Sequence, residues 1–146
     1  MSESLHDEVE VLASTHGDLR WEVWAGGTPD ELMTMLQVFA GDRRVAWSGF
    51  GGPALYPGEK VHEWRGRTDD LPYFVMARAA PEVSRLVAVT DRGTSVELVM
   101  GDVDDRFGLR FAAVGLPDGE GPGALLVEVD GRPEGTIPQP MLRPSD

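Results

Sequence analysis

Ser84–Met100, SRLVAVTDRGTSVELVM, constrains the fold more than any other stretch, because two apolar runs meet across Asp91-Arg92-Gly93-Thr94. Asp followed closely by Gly suits a type I turn or a Gly-bulged hairpin, so the two runs read as antiparallel neighbours. Two registers are open. A loop over Asp91–Thr94 sets Thr90 opposite Ser95 and gathers Val87, Val89, Val96 and Leu98 on one face. A loop over Asp91–Gly93 sets Thr90 opposite Thr94 and gathers Leu86, Ala88, Val96 and Leu98 instead. The first is expected, since it groups more β-branched bulk.

The same rhythm of short apolar run and turn residue extends along the chain. Glu8–Ala13 alternates, with Val9 and Val11 opposite Glu8 and Glu10, as an edge strand with a solvated acidic face would. In Leu19–Ala25, Leu19, Trp21 and Val23 share the predicted core face and Trp24 falls on the wetter one. Thr28-Pro29-Asp30-Glu31 carries helix-start chemistry, and Leu32, Met35, Leu36 and Phe39 recur at helical spacing. Leu32–Phe39 also reads as a strand buried on both faces, with Gly41-Asp42 turning it into Arg44–Phe50. The all-β context favours the strand.

Further strands are predicted over Lys60–Arg65, Leu71–Ala80, Phe107–Val114 and Ala124–Val129, with a last edge strand over Glu134–Pro138. The total is nine to ten short strands and at most one short helix. The expected fold is all-β, an antiparallel two-sheet β-sandwich, immunoglobulin-like or jelly-roll-like, filling one domain over residues 1–138. Pro138, Pro140 and Pro144 make 139–146 a flexible Pro-rich tail in this reading.

Leu71 to Pro138 resembles bacterial immunoglobulin-like or fibronectin-type sandwiches, through APEVSRLVAV, the DRG turn, RFGLRFAAV and ALLVEVDG. The chain departs from the pattern in having no Cys…Trp…Cys arrangement and no clear tyrosine corner. The resemblance implies a sandwich and no activity, because such folds host many functions.

Charge narrows the partners. Twenty-five acidic residues against thirteen basic ones give a net charge of −12. No Lys/Arg cluster offsets this, so neither nucleic acid nor an anionic membrane is an expected partner. Cysteine is absent, which removes disulfides, thiolate nucleophiles and Cys-ligated metals. The N-terminus shows neither a basic nor an apolar signal region, and a cytoplasmic location is expected.

Few constellations carry chemistry. Asp102, Asp104 and Asp105 could present carboxylates to Ca²⁺, but EF-hand spacing would put Gly and Glu where Phe107 and Ala113 stand. His6, His16 and His62 lack metal-ligand spacing. Gly49-Phe50-Gly51-Gly52 lacks the Gly-Lys-Ser/Thr ending of a phosphate loop. No cofactor is expected. Trp24 and Trp64, on the less apolar faces of their strands, with Tyr56 and Phe50 in loops, are the candidate binding residues.

A non-enzymatic acidic sandwich that binds another protein is the expected function, with self-association through an edge strand as one version. A small-molecule or carbohydrate-binding module that stacks ligand on Trp24, Trp64 or Tyr56 is the second reading. An enzyme with a spatially assembled site, such as His62 with Glu63 and Asp69 or Asp70, is the third.

Overall fold

The computed structural model describes residues 8–137; the tail expected over 139–146, and His6, lie outside them. Among the described residues the protein is all-β, with no helix and three four-stranded antiparallel sheets, none of them closed.

The first sheet is a meander of β1 (Val9–His16), β2 (Leu19–Gly27), β3 (Leu32–Ala40) and β4 (Arg43–Phe50), in that spatial order. The next eight strands are β5 (Val61–Gly66), β6 (Phe74–Ala79), β7 (Val83–Thr90), β8 (Ser95–Glu97), β9 (Val99–Met100), β10 (Arg110–Gly115), β11 (Pro122–Val129) and β12 (Arg132–Ile137). They divide between a middle sheet, ordered β5-β6-β10-β9, and a third sheet, ordered β12-β11-β7-β8. The twelve strands exceed the nine to ten expected. Part of the excess arises at Leu98, where one continuous extended segment leaves the third sheet as β8 and joins the middle sheet as β9.

The middle sheet is buried on both sides. Trp21, Val23, Leu36 and Val38 of the first sheet pack on Phe74, Met76 and Ala113. Val75, Ala77, Ala79 and Ala112 point the other way, onto Leu86, Ala88, Leu125 and Val127 of the third sheet. β6 therefore lies buried along its whole length, as a strand covered on both faces must be.

Three local outcomes differ from the sequence reading. The Thr28–Glu31 segment closes a tight turn, with paired backbone bonds between Thr28 and Glu31, and the Thr28 hydroxyl accepts from Glu31 N–H. The helix-start residues thus serve a β-turn, and β3 follows. β3 is not buried on both faces: Leu32, Thr34, Leu36 and Val38 are buried, whereas Met33, Met35, Gln37 and Phe39 look outward. The Ser84–Met100 hairpin takes the three-residue loop, with Thr90 N–H donating to Thr94 O, Ala88 opposite Val96 and Leu98 N–H bonded to Leu86 O. Gly93 at φ 81° supplies the left-handed residue that ends such a loop, so Leu86 and Ala88 are core and Val87 and Val89 are only half-buried.

Among the described residues β1 pairs only with β2, as an edge strand. A bulge between Glu10 and Leu12 lets both Val11 and Leu12 reach the core, which strict alternation would forbid.

Candidate functional site

The first sheet has an inner face that packs on the middle sheet and an outer face that no other described element covers. Strand pairing fixes what stands there. Trp24 is opposite Met35 and Glu10, Glu22 is opposite Gln37, and Gln37 is opposite Trp47. Trp47 is 56% exposed and Met33 44% exposed, while Trp24, Met35 and Phe39 are half-buried beside them. The long polar neighbours are held in place. The Arg20 guanidinium lies 4.3 Å from the Phe39 ring centroid and pairs with Glu22. Trp24 Nε1 donates to the other Glu22 oxygen at 2.9 Å. Arg44 sits 6.0 Å from the Trp47 ring and donates to Gln37. Gly49 completes this face, because a Cβ there would come within 2.3 Å of the Thr34 carbonyl oxygen.

Trp64 does not join Trp24. It points from β5 toward the first sheet and packs at the rim of the inner core, half-buried. The first sheet separates the two indoles, so they share no platform. Phe50 and Tyr56, by contrast, come together around His62, with ring centroids 4.9 Å and 5.1 Å from the imidazole. Only Tyr56 of this trio is well exposed, at 48%.

Beneath that trio lies Arg78, fully buried on β6. Nε donates to Thr34 Oγ1 at 2.7 Å, one terminal nitrogen to Pro53 O at 2.8 Å, and the other to Leu32 O at 2.6 Å and Phe50 O at 2.9 Å. The guanidinium also lies 4.1 Å from the Phe50 ring. Burial pulls its pKa down from 12.5 to about 10, so it remains a cation at neutral pH. With four donors on oxygens of the surrounding chain, Arg78 pins β3, β4 and the Phe50–Pro53 segment to the middle sheet.

The remaining candidates do not converge. His62 faces the first sheet, opposite Arg78, while Glu63 faces the third, opposite Ala77, so the pair cannot act on one substrate atom. Asp104 Oδ1 accepts from the backbone N–H of Arg106 and Phe107, an Asx-type turn that occupies that oxygen. Among the described residues no three His, Asp or Glu side chains gather as metal ligands would, Asp102, Asp104 and Asp105 included.

Met33, Met35, Phe39 and Trp47 were not singled out as binding residues by the sequence. The signal for the first three was present in β3 as apolar residues at consecutive positions, where a one-sided sheet would alternate with polar ones. Comparison with protein-family models, with curated proteins and with solved structures finds no match to this chain.

Proposed function

We propose that the protein is a non-enzymatic binding module that docks another protein on the outer face of its first sheet. The observation that carries this reading is Trp47, more than half exposed on an uncovered sheet face in company with Met33, Met35, Trp24 and Phe39. Trp, Phe, Met and Arg are the residues enriched where proteins meet, and contiguous apolar surface of this kind marks an interaction face. Arg20 and Arg44, already laid against aromatic rings, would lose little further freedom on docking. A carbohydrate site would need these rings around a concavity. The crevice that touches both Trp47 and Trp64 has only about 10 Å³ of space, roughly one water. The charge of −12 favours a basic partner through steering.

We further infer that β5–β12 form an immunoglobulin-like sandwich onto which the first sheet is added. Support comes from strand order. With β5 taken as strand A, β5-β6-β10-β9 follows A-B-E-D, and β12-β11-β7-β8 follows G-F-C with the extra C′ strand.

A photo-crosslinking side chain at position 47, compared with one at the exposed Leu126 of the third sheet, tests the docking face in cells of origin. Discrete protein adducts at 47, absent at 126 and lost with Trp24→Ala and Met33→Ala, are the expected result. Equal adducts at both positions would remove the proposal.

A further inference from the structure

Sulfur in this chain is confined to methionine, since cysteine is absent from the sequence. An oxidant that reaches the protein therefore meets thioethers and no thiol. The four methionines among the described residues differ in access. Met76 is fully buried in the middle sheet, Met35 and Met100 are half-buried, and Met33 is 44% exposed.

The surroundings of Met33 keep it open. It stands opposite Gly26 of β2. Toward β4 its Cε lies 3.5 Å from where a Cβ would stand at Gly51. Neither glycine has a side chain with which to cover the sulfur. Beyond Gly26 lies Glu8, whose Cγ is 2.9 Å from where a Cβ would stand, and a carboxylate accepts hydrogen bonds but donates none. The cations of this face are at its other end. Arg20 and Arg44 stand opposite Phe39, which is about 20 Å along β3 from Met33. Both are engaged there, Arg20 with Glu22 and Arg44 with Gln37.

We propose that Met33 is an oxidation site that switches off docking at the outer face of the first sheet, an inference that rests on the docking reading above. The oxidant is a peroxide. The thioether sulfur attacks one peroxide oxygen, and an S–O bond forms as the O–O bond breaks. The departing hydroxide takes the proton left on the transferred oxygen and leaves as water. Sulfur is oxidised by two electrons and the peroxide is reduced by two. The sulfoxide is polar where the thioether was a flexible apolar arm. Its oxygen needs a donor once a partner covers it. Glu8 offers none, the two arginines are out of reach, and a surface fitted to an apolar arm supplies none. Docking is lost while the fold is kept, because Met33 lies outside the three buried clusters of the described residues. A thiol-dependent reductase restores the thioether: two thiols become a disulfide and the oxygen leaves as water.

The test uses the full chain with the photo-crosslinking side chain at position 47. Hydrogen peroxide treatment is stopped when about half of Met33 is sulfoxide, and peptide mapping follows every methionine. Met33 should oxidise at least about threefold faster than Met35 or Met100, and Met76 should stay reduced. The mixture is then crosslinked in an extract of the cells of origin, and sulfoxide is counted separately in the adducts and in the free chain. Sulfoxide at Met33 should be depleted about tenfold from the adducts, whereas that at Met100 should divide evenly. Sulfoxide reductases of both epimer specificities, applied before crosslinking, should restore the adducts. The urea midpoint should not move with the Met33 sulfoxide content. Even division of Met33 sulfoxide between adducts and free chain would overturn this proposal and leave the docking reading standing. Adducts missing before any peroxide is added would remove both. Oxidation of Met35 or Met100 ahead of Met33, no recovery with the reductases, or a urea midpoint that falls in step with Met33 sulfoxide would each overturn the proposal, the last by making the sulfoxide a lesion of the fold.

Discussion

The two faces of the middle sheet each hold a buried charge, and the two charges are treated differently. On the side of the first sheet, Arg78 has no carboxylate beside it among the described residues but spends four donors on three carbonyls and a hydroxyl. On the side of the third sheet, Glu63 has a cationic partner yet keeps one oxygen bare. A buried ion is stabilised by filling its hydrogen-bonding capacity as much as by opposite charge. Arg78 is therefore a structural rivet in a closed layer. Glu63, between the middle and third sheets, keeps one buried oxygen without a partner among the described residues.

The largest test of this contrast is Arg78→Met. It strands the carbonyls of Leu32, Phe50 and Pro53, and a loss of about 3–5 kcal/mol is expected in urea unfolding. A loss below about 1 kcal/mol would mean that those carbonyls find other donors and that Arg78 pins nothing. Trp21→Ala, in the same closed layer, should cost a similar about 3–5 kcal/mol by leaving a cavity. Glu63→Gln should change stability by less than about 1 kcal/mol, since Arg65 keeps an acceptor and a charge is removed. A loss as large as that of Arg78→Met would make Glu63 structural as well. Trp47→Ala sits outside both layers and should stay within about 0.5 kcal/mol of the wild type while it removes crosslinked adducts elsewhere on the outer face.

The smallest effect concerns pH. Hydrogen bonds from the Thr90 and Thr94 side chains hold the Glu120 carboxyl below its usual 4.5. A depressed acid stabilises the fold above its unfolded pKa, and that contribution disappears as pH falls through the folded value. Acid unfolding followed between about pH 5 and 3 should lose a small part of its slope in Glu120→Gln. An unchanged curve would show that the bond does not survive in solution.

Strand positions were largely legible, because β-branched runs between Gly, Pro and Asp turns leave few alternatives. Asp130-Gly131 illustrates this, with both residues at positive φ in the β11–β12 turn. What escaped was long-range. Val87 and Val89 outweigh Leu86 and Ala88 in bulk, yet the loop length ending at Gly93 set the register, and bulk did not decide it. A third sheet was invisible, since nothing local says which strands are covered twice. In retrospect the unbroken run around Phe74–Ala79 carries that message. The candidate site was legible in part. Trp24 stands on the outer face of the first sheet, but Trp64 lies behind the sheet, and Met33, Met35 and Trp47 declare themselves only once β3 and β4 are known to have an uncovered side.

The first sheet is made of consecutive strands joined by short turns, whereas β6 finds β10 and β7 finds β11 across long stretches of chain. Its four strands can pair while the rest is still being synthesised, because hairpins close quickly and distant contacts slowly. Yet Trp21, Val23, Leu36 and Val38 lack the buried residues of the opposing sheet until Phe74, Met76 and finally Ala113 have been made. During translation the meander therefore carries two apolar faces, one that later folding conceals and one whose Met33 and Trp47 stay exposed.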